Sequence, residues 1–298
     1  MEAAQNAPMP IIDTHIHLFD TTRPQGVPWP PKTGKIPYKP TLPADYRKVS
    51  APHGVVGAIY VECSEWLEDN QWVLDVSEKD TIMVGVVGDL VPGGPDFKKH
   101  LARFGKNPLY RGIRYGYLWG RKLSDELPKP AFIDGLKAMA DMGLGLDSVG
   151  PHQLAGELLR IKDKVPNLRI VVDHLPNLEP LKDAGAQAKW ERELRELAKR
   201  PQVFAKVSEV LHNRNGHVAY DLASNRAAID HLWDTFGPDR LIFGSDWPNS
   251  EQVGNYTQVI SVVKEYFMAK GRETAEKIFW KNSMAAYEWK KRDARQPG

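Results

Sequence analysis

Ile11-Ile12-Asp13-Thr14-His15-Ile16-His17 has the composition of a buried β-strand that ends in two histidines. Because side chains alternate between the two faces of a strand, Asp13, His15 and His17 are predicted to share one face and the residues between them the other. Two imidazoles on one polar face suit the binding of a metal ion, a water molecule or a substrate oxygen. The alternative is a pair of histidines without a chemical role, because short motifs often match by chance.

Apolar runs rich in β-branched residues recur along the chain and predict eight strands, over 10–17, 55–62, 82–90, 110–115, 144–149, 169–175, 203–210 and 241–246. Segments with apolar residues at three- and four-residue spacing separate most of them and predict helices, including 70–79, 130–141, 153–164, 187–199 and 224–236. Alternating strands and helices imply a parallel sheet with right-handed connections. Eight alternations in 298 residues favour an α/β fold closed into a (β/α)8 TIM barrel over an open, doubly wound sheet.

The chain is predicted to be a single domain over 1–298, with its core in 10–290. Residues 21–52 are rich in proline and glycine and are expected to form a long loop after the first strand. In a barrel that loop lies at the catalytic face, where Trp29, Tyr38 and Tyr46 either wall the site or lie on a surface apart from it. The polar, basic residues 290–298 are expected to fray.

Composition restricts the classes of partner. The formal net charge is only +2, from 40 basic and 38 acidic residues, so a small-molecule substrate is expected and neither nucleic acid nor a membrane. Cys63 is the only cysteine, which excludes an internal disulfide and a cysteine-based zinc cluster and favours a cytoplasmic location. Residues 1–10 have the features of neither a signal peptide nor a membrane anchor. A homo-oligomer is compatible with the sequence.

Charged and polar residues collect at the predicted C-terminal ends of the strands, where TIM barrels carry their active sites. They are His15 and His17, Glu62, Arg111 and Arg114, Asp173 and His174, Lys206, Ser208 and Glu209, and Asp246. A charge at the edge of an apolar core costs free energy unless it is paired. Their convergence on one rim therefore predicts an active site.

Six motifs stand in a fixed order along the chain: Ile12-Asp13-Thr14-His15-Ile16-His17, Tyr110-Arg111-Gly112-Ile113-Arg114, Pro151-His152-Gln153-Leu154, Val172-Asp173-His174-Leu175, Ala205-Lys206-Val207-Ser208 and Phe243-Gly244-Ser245-Asp246-Trp247-Pro248. With these motifs in this order, the sequence resembles the amidohydrolase superfamily. Within it, the sequence resembles the amidohydrolase-related (amidohydrolase 2) group, which includes lactonases of sugar acids and of dicarboxylates. The resemblance covers nearly the whole chain. It implies a distorted barrel that carries out hydrolysis.

The resemblance also implies the catalytic residues, because in the superfamily two histidines of strand one, a histidine of strand six and an aspartate of strand eight surround the attacking water. Here these are His15, His17, His174 and Asp246, which would also be the ligands of a metal ion. Members with two metals usually carry a lysine or glutamate on strand four and a histidine ending strand five. Strand four here offers arginines and His152 comes late, so one divalent ion (Zn or Mn) or no metal is expected.

The reaction implied is the opening of a lactone, a cyclic ester, of a sugar acid or related carboxylated ring. Asp246 would activate the water, and the histidines would bind the ion or stabilise the oxyanion. Arg114 would clamp a substrate oxygen or form an ion pair with Glu62 or Asp173. Glu62 is a metal ligand, a substrate contact or the partner of an arginine. Asp173 is expected to support His174 or to pair at the rim.

Aromatic residues near the strand ends are candidate contacts to a sugar-derived ring, although each can equally be core or loop filler. They are Tyr115, Tyr117, Trp119, Trp66 and Trp247. His152 and Gln153 are candidate partners of substrate hydroxyls, with helix capping as the alternative.

Two other functions compete with lactone hydrolysis. One is a metal-dependent decarboxylase of the same superfamily, and the other is a noncatalytic barrel that only binds its ligand. A serine hydrolase is excluded because Ser245 lies in Gly-Ser-Asp and the nucleophile-elbow motif does not occur.

Overall fold

The computed structural model describes residues 8–298 and contains an eight-stranded parallel sheet whose strands follow one another in chain order. The strands are β1 Ile11–Ile16, β2 Val55–Val61, β3 Met83–Gly88, β4 Tyr110–Arg114, β5 Gly145–Ser148, β6 Ile170–Val172, β7 Val203–Val207 and β8 Leu241–Phe243. The sheet closes through a parallel bridge between Ile16 and Trp247 and a 2.8 Å hydrogen bond from His17 N to Trp247 O. The predicted (β/α)8 TIM barrel is confirmed.

Helices surround the barrel: α1 Pro43–Ser50, α2 Asp69–Glu78, α3 Phe97–Phe104, α4 Leu123–Glu126, α5 Pro130–Asp141, α6 Leu154–Lys164, α7 Ala184–Ala198, α8 Leu222–Phe236, α9 Tyr256–Ala269, α10 Arg272–Glu276 and α11 Asn282–Tyr287. A two-stranded hairpin, Asn213–Arg214 with His217–Val218, follows β7. Asp183 caps α7 by accepting a 2.7 Å hydrogen bond from Ala186 N. The five helices predicted from periodicity are present within three residues at each end.

Two apolar clusters hold the fold together. The larger one fills the space between sheet and helices, and the smaller one contains Ile12, Val84, Val171 and Ile242 inside the barrel. Trp289, which follows α11, packs into this inner cluster. The barrel interior is thus filled by side chains, and polar residues concentrate toward the C-terminal ends of the strands.

Strand β1 departs from regular alternation. Its pairing with β2 shifts register between Asp13 and Ile16. The Asp13 carboxylate accepts hydrogen bonds from Tyr46 Oη at 2.8 Å and Tyr256 Oη at 3.0 Å, which belong to α1 and α9 outside the barrel. The prediction that Asp13 shares a face with His15 and His17 is therefore wrong, because the irregularity reverses the side-chain alternation between them.

Residues 21–52 are not a loop throughout, because α1 occupies the end of that segment with Pro43 in its first turn. Tyr46 on this helix is completely buried and bonded to Asp13, so it does not cover the site. Trp29 does line the cavity described below, whereas Tyr38 does not. Only one of the three aromatic residues expected there contributes to the site wall.

The C-terminal segment is hydrogen-bonded to the barrel through Arg292 and Gln296, so the prediction that residues 290–298 fray is wrong for residues 292–296. The Arg292 guanidinium donates hydrogen bonds to the main-chain carbonyls of Ser77 (2.8 Å) and Glu78 (2.9 Å), at the end of α2. Gln296 is 1% exposed and donates to two further carbonyls at 2.7 and 2.9 Å. The Arg292 bonds add donors to carbonyls at the C-terminal end of α2, and the Gln296 bonds tie the segment to the main chain at Val56 and Thr81.

Within residues 8–298, none of the helices combines the length and hydropathy that crossing a bilayer requires. The prediction that residues 1–10 are neither a signal peptide nor a membrane anchor concerns mainly residues 1–7, which lie outside the described residues.

Candidate active site

Three neighbouring strands are followed by residues in the left-handed backbone conformation. His174, Glu209 and Asp246 follow β6, β7 and β8 with φ angles of 56°, 49° and 60°. This conformation costs a residue other than glycine about 1–2 kcal/mol. Strain of this kind clusters at functional sites, where the surrounding structure enforces it.

Asp246 stands at the centre of the three histidines. Its Oδ1 lies 3.1 Å from His17 Nε2, 3.5 Å from His15 Nε2 and 3.9 Å from His174 Nε2. Its Oδ2 accepts a 2.6 Å hydrogen bond from Asn249 Nδ2. The structure thus brings together the four residues predicted to be catalytic.

The surroundings of Asp246 favour an ionised carboxylate. Burial acts to raise its pKa, but the charge of His174 and the hydrogen bonds from His17 and Asn249 outweigh burial and hold the pKa below its usual range. His17 Nδ1 lies 2.8 Å from Val61 O and must donate to it, since a carbonyl only accepts. At neutral pH Asp246 is therefore available as a proton acceptor.

His15 is held neutral by its environment. Burial, followed by the charge of Lys206, lowers the pKa of His15 well below its usual value. Lys206 Nζ lies 3.2 Å from Nδ1, and Arg114 Nη1 lies 3.4 Å from Nε2. Lys206 and Arg114 both only donate, and a neutral imidazole accepts at one nitrogen; the shorter contact, from Lys206, favours Nδ1 as the acceptor and places the ring hydrogen on Nε2, toward Asp246.

A buried cluster of charged side chains contacts His15 on its Nδ1 side. Lys206 Nζ lies 2.6 Å from Asp147 Oδ2 and 2.9 Å from Asp173 Oδ1, and none of the three side chains is more than 1% exposed. Tyr287 Oη donates to Asp147 at 2.8 Å. Burial raises the pKa of Asp147 to about 6 against the opposing charge of Lys206. Asp173 pairs here, whereas His174 Nδ1 contacts Ser208 Oγ at 3.0 Å.

Glu62 and Arg114 form a buried ion pair, which is one of the alternatives that the sequence left open. Arg114 Nε donates to Glu62 Oε1 at 2.9 Å. Trp119 Nε1 donates to Glu62 Oε2 at 3.0 Å. Both Glu62 oxygens are thus occupied, and the pair fixes Trp119 at the edge of the site.

A cavity of about 420 Å³ opens beside Asp246 at the C-terminal end of the barrel. Its wall combines tryptophan, aliphatic, amide and charged side chains, including Trp29, Leu118, Trp119, Val149, Leu178, Asn177, Asn249, Arg114, His17, His174, Glu209 and Asp246. Such a mixed wall suits a small molecule with both apolar and hydroxylated faces.

Three predicted substrate contacts lie elsewhere. Tyr115 is buried and packs on Phe132 of α5, because it follows Arg114 and faces the opposite side of the strand. His152 packs on Trp190 in a separate cleft between α6 and α7. Trp247 is 4% exposed and donates to Glu251. None of the three lines the catalytic cavity, which corrects the expectation that they contact substrate.

The weaker candidates also lie away from the cavity. Tyr117 donates to Glu157 and accepts from Gln153, whereas Trp66 is partly exposed. None of Tyr117, Gln153 and Trp66 belongs to the cavity wall.

Sequence reasoning assigned no role to Glu209 and did not find the two asparagines that hold it. Asn177 Nδ2 donates to Glu209 Oε2 at 2.6 Å, and Asn249 Nδ2 donates to Oε1 at 3.2 Å. Burial raises the pKa of Glu209 to about 7, although the charge of His174 opposes this. The available signal was spacing, because each asparagine stands three residues after a predicted catalytic residue, His174 or Asp246.

The described residues fit one divalent ion. Two groups, His15–His17–Asp246 and His174–Glu209–Asp246, each offer ligand atoms within 4.8 Å of one another and share Asp246. His17 fits best, because its Nδ1 hydrogen is committed to Val61 O, which leaves Nε2, the ring nitrogen that faces Asp246, as the ligand atom. His15 fits less well, because its Nε2 carries the hydrogen in the tautomer that Lys206 favours.

Comparison with known proteins agrees with this geometry. Residues 12–289 match the family model described as Amidohydrolase. The chain belongs to the amidohydrolase family. It is a hydrolase, and its motifs stand at the strand ends where the resemblance placed them.

Two curated relatives carry the name L-fucono-1,5-lactonase. The protein of Burkholderia ambifaria is 30% identical over 245 residues, 82% of this chain and 82% of its own. That of Burkholderia multivorans is 26% identical and covers 92% of this chain and 94% of its own. A crystal structure of a Burkholderia multivorans amidohydrolase with bound Zn superposes with a TM-score of 0.80 at 22% identity, over 94% of this amidohydrolase and 99% of that chain. The structural likeness supports the fold.

Proposed function

We propose that this amidohydrolase opens a lactone by attack of a water molecule that Asp246 activates. The observation that carries the proposal is the ionised, buried Asp246 carboxylate with three imidazole nitrogens within 3.9 Å at the edge of the cavity. The lactonase names of two relatives support a cyclic ester as the bond that is cleaved.

Asp246 relays the one proton that the reaction transfers, from the attacking water to the leaving alkoxide. Asp246 Oδ1 takes a proton from water while the water oxygen forms a bond to the lactone carbonyl carbon. The Arg114 guanidinium, which lines the cavity, stabilises the negative charge that develops on the carbonyl oxygen, while the buried His15 directs its Nε2 hydrogen toward Asp246. The ring C–O bond then breaks, and the proton held by Asp246 passes to the leaving alkoxide. The product is the open hydroxy acid.

The same residues are able to hold one divalent ion, either Zn or Mn, with Asp246 and His17 as the best-placed ligands and His174 and His15 next to them. When bound, such an ion lowers the pKa of water and polarises a carbonyl.

The charges of the cavity favour an uncharged sugar-acid lactone over a lactone that carries extra carboxylates. Arg114 already pairs with Glu62, so its charge is largely satisfied. Trp29 and Trp119 offer flat apolar faces to the C–H face of a ring. Asn177 also lines the cavity, and its amide oxygen is suited to accept a hydrogen bond from a substrate hydroxyl group.

The proposal is tested by following proton release from a panel of aldono-1,4- and 1,5-lactones, with 2-pyrone-4,6-dicarboxylate as the charged comparison. Each assay is run after chelation and again with added Zn or Mn. We expect kcat/KM of about 10⁴ M⁻¹s⁻¹ or more for at least one aldonolactone. The dicarboxylate should react at least a hundredfold more slowly, about 2.7 kcal/mol in transition-state binding. Release of carbon dioxide from an aromatic acid without lactone hydrolysis would instead establish the decarboxylase.

A further inference from the structure

A second compartment adjoins the catalytic cavity. It is a groove of about 390 Å³ on the side of the hairpin Asn213–Arg214/His217–Val218. Asn177, Glu209, Asp246 and Asn249 line both spaces. A molecule that fills the cavity and extends past these residues therefore enters the groove.

Two residues of the groove wall carry a buried polar atom that has no hydrogen-bond partner among residues 8–298. Ser250 is 5% exposed, and its hydroxyl has no hydrogen-bond partner among residues 8–298. The buried His212 Nε2 lacks one as well within this part of the chain. Both residues line the groove, together with Gln252 and the aliphatic Leu211 and Val253. Buried polar atoms are normally satisfied, so these two point to a hydroxylated ligand.

The groove is connected to the catalytic carboxylate through side-chain hydrogen bonds. Gln252 Nε2 donates to Asn249 Oδ1 at 2.6 Å. Asn249 Nδ2 in turn donates to Asp246 Oδ2 at 2.6 Å. A ligand group that binds Gln252 therefore also fixes the amide that orients Asp246.

The volumes of the cavity and the groove indicate how large a ligand the two spaces hold together. The cavity alone falls within the range of about 300–1,000 Å³ that is typical of small-molecule sites, so a single lactone ring does not need the groove. The groove wall combines amides, a hydroxyl, an imidazole and aliphatic side chains with the charged Lys35, Glu179, Glu209 and Asp246, and such a set of donors and acceptors suits the many hydroxyl groups of a sugar. We propose that the groove binds a second sugar unit, so that the substrate class is a glycosyl-substituted aldonolactone. This inference rests on the proposed lactone hydrolysis.

The test compares D-glucono-1,5-lactone with its glycosylated derivatives cellobiono-1,5-lactone and melibiono-1,5-lactone. We expect kcat/KM to be at least tenfold higher for one glycosylated lactone than for the parent. Val253→Trp, which fills the groove, should reduce this ratio to about one. Val91→Trp is the matched control, because Val91 is exposed and lines neither space, and it should keep the ratio.

Saturation-transfer NMR with the corresponding aldonates provides a readout independent of turnover. Both sugar units should receive saturation in the wild type, and the attached unit should lose it in Val253→Trp. A ratio of one or less for both derivatives in the wild type, or saturation of neither attached unit, would overturn the inference. Failure to hydrolyse any lactone of the wider panel would refute the proposed function instead, while the NMR result still decides whether the groove binds sugar.

Discussion

Lys206 illustrates what can be predicted at the scale of a single residue. Its position near the end of a buried strand predicts a polar role near the mouth of the barrel, and the structure places its ammonium group beneath His15. Its carboxylate partners, Asp147 and Asp173, come from two other strands. Side-chain pairing of this kind depends on the register of neighbouring strands, which one sequence does not specify.

Removing the charge of Lys206 should destabilise the fold strongly. Lys206→Met leaves two buried carboxylates without their cation, which typically costs about 3–5 kcal/mol. The control is Lys189→Met, because the Lys189 side chain is 68% exposed and its pair with Glu193 is 3.8 Å long. That variant should lose less than about 1 kcal/mol. The measurement is urea unfolding, and equal stability of the two variants would refute the importance of the buried cluster.

Glu209 should make stability depend on pH. Burial raises its pKa to about 7 in the folded state, so between about pH 4.5 and 7 the folded protein holds a proton that the unfolded chain has released. The free energy of unfolding therefore falls as pH rises through this range. Glu209→Gln cannot titrate, so its stability relative to wild type should rise by about 3 kcal/mol over the same range. Urea titrations at several pH values measure this, with exposed Glu65→Gln as the control; parallel profiles for Glu209→Gln and wild type would contradict it.

At the scale of secondary structure, periodic helices are predicted better than strand ends. The helix predicted over 130–141 is α5, because its apolar residues keep the helical period throughout. The strand predicted over 169–175 forms only over Ile170–Val172. His174 adopts the left-handed conformation that turns the chain there, and a single histidine does not predict it, because the conformation is uncommon even for the residues that favour it. The end of β6 therefore depends on the contacts that His174 makes in the site, such as the one with Ser208, more than on local sequence propensity.

The docked C-terminal segment acts as a cap for α2. Arg292 brings a positive charge and hydrogen bonds to carbonyls at the C-terminal end of that helix, where both are favourable. Arg292→Ala should therefore lower the free energy of unfolding by about 2 kcal/mol. Arg295→Ala removes an arginine whose side-chain hydrogen bonds, in the described part of the chain, go to nearby Asp293, and it should change stability by less than about 0.5 kcal/mol. Thermal and urea unfolding of both variants check this, and similar losses would show that Arg292 is not a cap.

At the scale of the whole molecule, the site forms where the two ends of the sheet meet. Thr14 Oγ1 donates to Phe243 O at 2.7 Å, and Asp246 N donates to His15 O at 2.9 Å. Barrel closure therefore brings residues more than two hundred positions apart into contact. The four central residues could be predicted because motif order and the strand-end rule place them on one rim. The cavity walls could not, because they depend on how irregular loops fold over that rim.

The proposed role of Asp246 as the base is tested most directly by comparing Asp246→Asn with wild type on the best lactone of the panel. Loss of the proton acceptor should lower kcat by about a thousandfold or more, because general-base catalysis contributes about 10²–10⁴. Binding of the product acid, measured by calorimetry, should change less than tenfold. Asp183→Asn is the matched control, because Asp183 only caps α7 and asparagine caps equally well. Turnover of Asp246→Asn within tenfold of wild type would contradict the account.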